Sequence, residues 1–432
     1  MLYFKKILII LIVWLVGFSV MRDFKNRETW KGMELGRIHQ SMINDFMFSP
    51  DGKIIATSND REITLWNLEG EQIRTLSSDT TKTKIKSFVF SPNGQQILTA
   101  SNTGVTLWNT QGKQLWTSPF ITKRVDFYPD GKMIVALGNK EVKLWDLNGK
   151  EIQTLDHTKK IQTFKFSLDG QTIATLSSQE VKLWSRSGEK LQTLKRSGLN
   201  LTTPGRVYSK GYVSSFEDVS FSPDGRTIIT IYDGNVNLWS QDGKLLRNLS
   251  TLTVTGVKPN SNNTAILTLD FTTATLWNYQ GKPLYSFYHF DGNYAIQGIS
   301  WSPDNQIVAT AGADGVRLWN TENGKKIQTL PISLGNISDN IAYFFYEYEN
   351  YCEDVSFSSN GQIIAAVCKF YDVNDADTVF KYGLRLWSRD GKELWNPDEN
   401  GYDSYVFSPD SQTLAVKHKG QIILLKLSVR KR

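Results

Sequence analysis

The stretch "FMFSPDGKIIATSNDREITLWN", Phe46 to Asn67, decides the fold. Its centre, Ser49-Pro50-Asp51-Gly52, has the chemistry of a type I turn. Ser stands at the first position, Pro presets φ at the second and Gly takes the fourth. Apolar β-formers flank it, so it joins two short strands, a and b. The turn "NDRE" leads to a third strand, c, ending in "LW". Beyond it, "NLEG" turns into a fourth, d, "EQIRTL".

This unit recurs along the chain. "FMFSPDG" returns as "FVFSPNG" from Phe88, "VDFYPDG" from Val125, "FKFSLDG" from Phe164, "VSFSPDG" from Val219, "ISWSPDN" from Ile299, "VSFSSNG" from Val355 and "YVFSPDS" from Tyr405. A degenerate copy, "VKPNSNN", begins at Val257, which makes nine. The "LW" tryptophans are Trp66, Trp108, Trp145, Trp184, Trp239, Trp277, Trp319 and Trp387; the ninth unit has "IILLKL" instead. A four-stranded unit cannot bury both faces alone, but radially stacked sheets cover one another, as in a β-propeller.

With these residues in view, the chain resembles the WD-repeat family over roughly residues 32 to 428. The resemblance implies an all-β propeller with protein-interaction function, although fold alone does not fix function. It also implies a structural tetrad, whose matching positions in unit 1 are His39, Ser58, Asp60 and Trp66. His157 holds the His position of unit 4 and Asp233 the Asp position of unit 5, without the other members. Propellers typically have roughly four to eight blades, so nine units pose a counting problem. "MELGRIH", Met33 to His39, reads as a lone strand d, and the last unit ends after strand c. Pairing the two closes a ring of nine blades. A ring of eight with one unit displaced is the alternative.

Residues 1–30 differ from the propeller, residues 31–432. Lys5 and Lys6 precede an uncharged run from Ile7 to Met21, short of the about 20 residues a membrane span needs. It fits a hydrophobic helix serving as signal anchor or signal peptide. The leading lysines favour export of the propeller. Arg22, Lys25, Arg27 and Lys31 favour a cytoplasmic propeller instead. The net charge of +6, on 49 basic and 43 acidic residues, is spread without a long basic run. No nucleic-acid partner is therefore expected.

The long connections all belong to the d–a and b–c joins, which share one face of a propeller. They are Lys195–Ser215, Ser286–Ile296, Pro331–Tyr351 and Lys369–Gly383. The third contains "AYFFYEYENYCED", with six aromatics from Tyr343 to Tyr351. Extending the unit 8 hairpin upward predicts an aromatic ridge of Tyr343, Phe344, Phe345, Tyr346, Tyr348, Tyr351, Phe370, Tyr371, Phe380 and Tyr382. Such a surface suits a protein interface; rings packed on one another in an idle protrusion are the competing account. The same ladder sets Cys352 opposite Cys368, the only cysteines. Either a disulfide, which tilts the propeller toward an extracytoplasmic site, or two buried thiols fits that placement.

Catalytic signatures are absent from the sequence. The four histidines, His39, His157, His289 and His418, show no metal-ligand spacing, and no nucleophile elbow, P-loop or dinucleotide turn occurs. The expectation is a non-enzymatic, membrane-attached scaffold with no cofactor or metal, binding a protein or peptide on the d–a/b–c face. The alternative is an exported hydrolase- or lactonase-type enzyme, or a carbohydrate binder, using the central channel.

Overall fold

In a computed structural model of the 432-residue chain, the described residues are 33–77, 83–195, 216–249, 254–289, 295–330, 351–371, 380–395 and 401–427. They form nine four-stranded antiparallel sheets. Eight are built from consecutive strands a to d, beginning with blade 1: Asp45–Phe48, Ile55–Ser58, Glu62–Trp66 and Gln72–Ser77. In the ninth, Tyr402–Phe407, Thr413–His418 and Gln421–Lys426 supply strands a to c, and Met33–Ile38 supplies strand d. Met33 pairs with Lys426 and Ile38 with Ile422. The lone N-terminal strand closes the ring, and the ring has nine blades.

The turns form for the reasons their residues dictate. Ser49 Oγ donates to Asp51 Oδ1 at 2.6 Å, and Gly52 N donates to Ser49 O at 2.8 Å. Gly52 has φ 71°, a conformation without penalty only for glycine. The same Ser–Asp bond recurs at 2.6 Å from Ser167, Ser222, Ser302 and Ser408. The Ser49 hydroxyl holds the Asp51 carboxyl below its ordinary range. These aspartates are committed to turns.

The core lies between blades. Ala56, Ile63, Leu65 and Leu76 of blade 1 pack against Phe88, Phe90, Ile97 and Trp108 of blade 2. Each seam around the ring repeats this arrangement. At the closing seam Ile38, Ala415, Ile422 and Leu424 of blade 9 pack against Phe46, Phe48, Ile55 and Trp66 of blade 1. A fully buried Leu, Ile or Phe contributes about 1.5–3 kcal/mol, so no blade keeps its stability without its neighbours. The first strands of adjacent sheets pack beside one another, as Ile296–Trp301 does with Tyr351–Phe357, which puts strand a at the centre of the ring.

Candidate functional site: the d–a/b–c face

Two hydrogen-bond patterns anchor this face. In six blades the strand c tryptophan donates its indole N–H to a threonine nine residues earlier. The pairs are Trp66–Thr57 (2.8 Å), Trp108–Thr99 (3.2 Å), Trp184–Thr175 (2.7 Å), Trp239–Thr230 (2.9 Å), Trp277–Thr268 (2.9 Å) and Trp319–Thr310 (2.9 Å). In blade 7 the network is complete. His289 Nε2 lies 2.8 Å from Thr310 Oγ1, His289 Nδ1 bonds Asp314, and Arg317 Nε donates to the other Asp314 oxygen at 2.7 Å. Burial pushes the Asp314 carboxyl up, but the His289 and Arg317 bonds hold it below its ordinary range. In blade 4, His157 Nε2 sits 2.6 Å from Thr175 Oγ1, while its Nδ1 stands 3.6 Å from Glu180, too far to bond.

The tetrad positions expected in unit 1 need correcting. Trp66 bonds Thr57, whereas the Ser58 hydroxyl points to Asp45 O at 3.4 Å. Gln40 rather than His39 reaches Thr57 and Thr64, and His39 is exposed. Asp60 binds Asn44 at 2.9 Å and Lys84 at 3.3 Å instead. The complete tetrad is in blade 7. The partners thought missing around His157 are Thr175 and Trp184. Asp233 lies buried in the blade 5 b–c turn with φ 49°.

Blade 8 differs from the rest. Its strands b and c, Ile363–Tyr371 and Phe380–Ser388, have 9 residues each. In the other blades those strands have 4 to 6. The extra pairs are Lys369 with Tyr382, Phe370 with Lys381 and Tyr371 with Phe380. Three more residues per strand raise this blade by roughly 10 Å, at about 3.3 Å each. At its base Lys369 Nζ donates to Tyr351 OH at 3.1 Å, pairs with Glu353 and lies 5.3 Å from the Tyr351 ring centroid. Tyr343, Phe344, Phe345, Tyr346 and Tyr348 lie outside the described residues, as do residues 1–32. Just below the extension Cys352 pairs with Cys368 across the ladder, both fully buried and joined as a disulfide.

Sequence reasoning missed three exposed apolar side chains on this face. They are Met42 and Ile121 in d–a joins and Phe271 in the blade 6 b–c turn, exposed by 74%, 62% and 63%. Toward the centre, Arg124 Nη1 donates to Thr163 at 2.8 Å, and its Nη2 lies 3.9 Å from Asp126, whose carboxyl burial pushes up. Lys258 Nζ donates to Ile299 O at 2.6 Å. Among the described residues no three His, Cys, Asp or Glu side chains could together hold a metal ion, and no helix is long and apolar enough to cross a membrane.

The family comparison meets this geometry directly. The model described as "WD domain, G-beta repeat" matches residues 34–67, 70–109, 149–185, 204–240 and 281–320. The chain is a β-propeller with WD40-type repeats over those residues. The WD40 matches begin at the closing strand and include blade 7 with its complete tetrad. Among solved structures, this propeller is similar to the C-terminal WD40 domain of Sif2, at 15% identity and TM-score 0.52, over 77% of this chain and 94% of that one. It is also similar to a eukaryotic initiation factor, at 14% identity and TM-score 0.58, over 85% and 90%. Likeness at such identity concerns the fold alone. No curated protein matches the sequence.

Proposed function

We propose that this propeller is a non-enzymatic scaffold that binds a protein or peptide on its d–a/b–c face, with blade 8 as a principal anchor. WD40 propellers typically serve as protein-binding scaffolds, which supports the class of function. The observation that carries the choice of face is the raised blade 8. Its strand a begins at Tyr351, where the aromatic stretch Tyr343–Tyr351 of the sequence ends, and loops on a rigid scaffold are where binding concentrates.

We further read Ile7–Met21 as a membrane anchor with the propeller outside the cytoplasm. The Cys352–Cys368 disulfide supports an oxidising compartment. The chain enters the ring at Met33, opposite Lys426, on the face of the a–b and c–d turns. An anchor there leaves the d–a/b–c face pointing away from the bilayer.

The test is a crosslinked pull-down from native membranes. The intact protein is compared with a variant in which residues 343–351 are a Gly/Ser loop, both checked by circular dichroism and melting. A partner captured by the first and lost by the second supports the reading. Identical capture by both overturns it. Protease shaving of intact cells that leaves the propeller uncut would overturn the exported location.

A further inference from the structure

The d–a/b–c face is sorted by charge, and the sorting selects a kind of partner. Over blades 2 to 4 it carries Lys86, Lys123, Lys140, Lys159, Lys160 and Lys195, all exposed. Lys86 lies in strand a of blade 2, Ile85–Phe90, and Lys123 immediately precedes strand a of blade 3, Arg124–Phe127. Backbone bonds from His157 N to Lys140 O and from Ile161 N to Asn139 O, both 2.8 Å, lay the loop bearing Lys159 and Lys160 over the turn bearing Lys140. None of the six makes an ion pair among the described residues. Lys84, just outside the arc, is by contrast paired with Asp60 at 3.3 Å. Among the described residues the acidic side chains over this arc are Glu141, Asp156 and Glu180, with Asp126 nearer the centre beside Arg124, and Glu180 is already paired with Lys182 at 3.3 Å.

The opposite half of the same face has the other sign. Glu217, Asp218, Asp270 and Asp354 stand over blades 5 to 8. Among the described residues the cations there are engaged, Arg317 with Asp314, Lys369 with Glu353 and Lys258 with the Ile299 carbonyl. A long polyanion crossing the face, or an anionic bilayer laid flat on it, would meet these carboxylates. A protein surface carrying both signs would not. Complementary potentials of this kind fix the orientation of a partner and speed its capture.

We infer that the lysine arc over blades 2 to 4 seats an acidic segment of a protein partner. The inference rests on reading the d–a/b–c face as the binding surface, but it does not involve the blade 8 ridge. The two therefore fail separately, because the pull-down alters residues 343–351 alone.

The probe is a fluorescein-labelled peptide of alternating Glu and Ser, with affinity read by anisotropy at low salt. The full chain is compared with the combined variant Lys123→Gln, Lys140→Gln, Lys159→Gln and Lys160→Gln. The control, Lys53→Gln, Lys132→Gln, Lys244→Gln and Lys282→Gln, removes the same charge from the opposite face. All three proteins are first shown to melt alike. The expected result is a loss of roughly tenfold or more in the arc variant, the sum of four exposed ion pairs, with little change in the control. No binding by the unaltered protein, equal loss in both variants, or no loss in the arc variant overturns the assignment. So does equally tight, lysine-dependent binding of duplex DNA or phosphatidylserine vesicles.

Discussion

Thr310 accepts the indole proton of Trp319 at 2.9 Å and also lies 2.8 Å from His289 Nε2, so one buried hydroxyl serves two rings. Thr310→Ala removes it and leaves two desolvated nitrogens without a partner. The expected cost is about 2–6 kcal/mol, from an unsatisfied-group penalty of about 1–3 kcal/mol for each of the two nitrogens. Urea denaturation measures it. Thr99→Ala, where only the longer 3.2 Å bond to Trp108 is lost, should cost less.

The tetrad shows where the sequence was legible and where it was not. Turn chemistry and the recurring "LW" were enough to count nine units and to pair the Met33 strand with the last one. Which hydroxyl meets the tryptophan depends on strand facing. Trp66 is opposite Ile55, so Thr57, two residues on, shares its face, while Ser58 points the other way. A one-residue slip moves a side chain to the wrong face. The recurrence of threonine nine residues before tryptophan would have resolved this, and with it the complete set around His289. The hairpin register placing Cys352 opposite Cys368 could be counted from the "SSNG" turn. The sorting of charge could not, because it depends on which loops lie side by side.

Stability should fall with acid through His157. Burial, aided by Lys182, pushes its pKa from 6.5 down to about 4, against the pull of Glu180. The folded state therefore binds this proton more weakly than the unfolded chain. Its contribution is present above pH 6.5 and is lost as pH falls toward 4, by roughly 3 kcal/mol at most. Denaturation of the wild type and His157→Gln at several pH values tests this. The gap between the two proteins should shift against the wild type across that window. A gap independent of pH would contradict it.

The closing seam depends on Gly36. A Cβ there would lie 2.2 Å from Glu69 C in the blade 1 c–d turn, against backbone that cannot swing aside. Gly36→Ala should cost about 1–3 kcal/mol, the usual range for overpacking. It should also speed proteolytic release of the N-terminal strand. Gly256→Ala, whose Cβ would meet only Leu269 Cβ at 3.8 Å, is the control and should change little.

Reduction of the disulfide should loosen blade 8. Cys352 and Cys368 are separated by 16 residues, a closed loop worth about 3 kcal/mol in chain entropy. Cys352→Ala with Cys368→Ala, or treatment with a reductant, should lower the melting temperature. The double variant should no longer respond to reductant. A wild-type melting temperature unaffected by reductant would contradict the expectation.

The central claim is that partners bind the d–a/b–c face. Its most direct test is a photocrosslinking amino acid placed singly at Met42, Ile121 or Phe271 on that face and at Leu168 in an a–b turn on the other, all exposed. Irradiation in intact cells should give protein adducts from the first three positions and none from Leu168. Adducts from Leu168 alone would contradict the account.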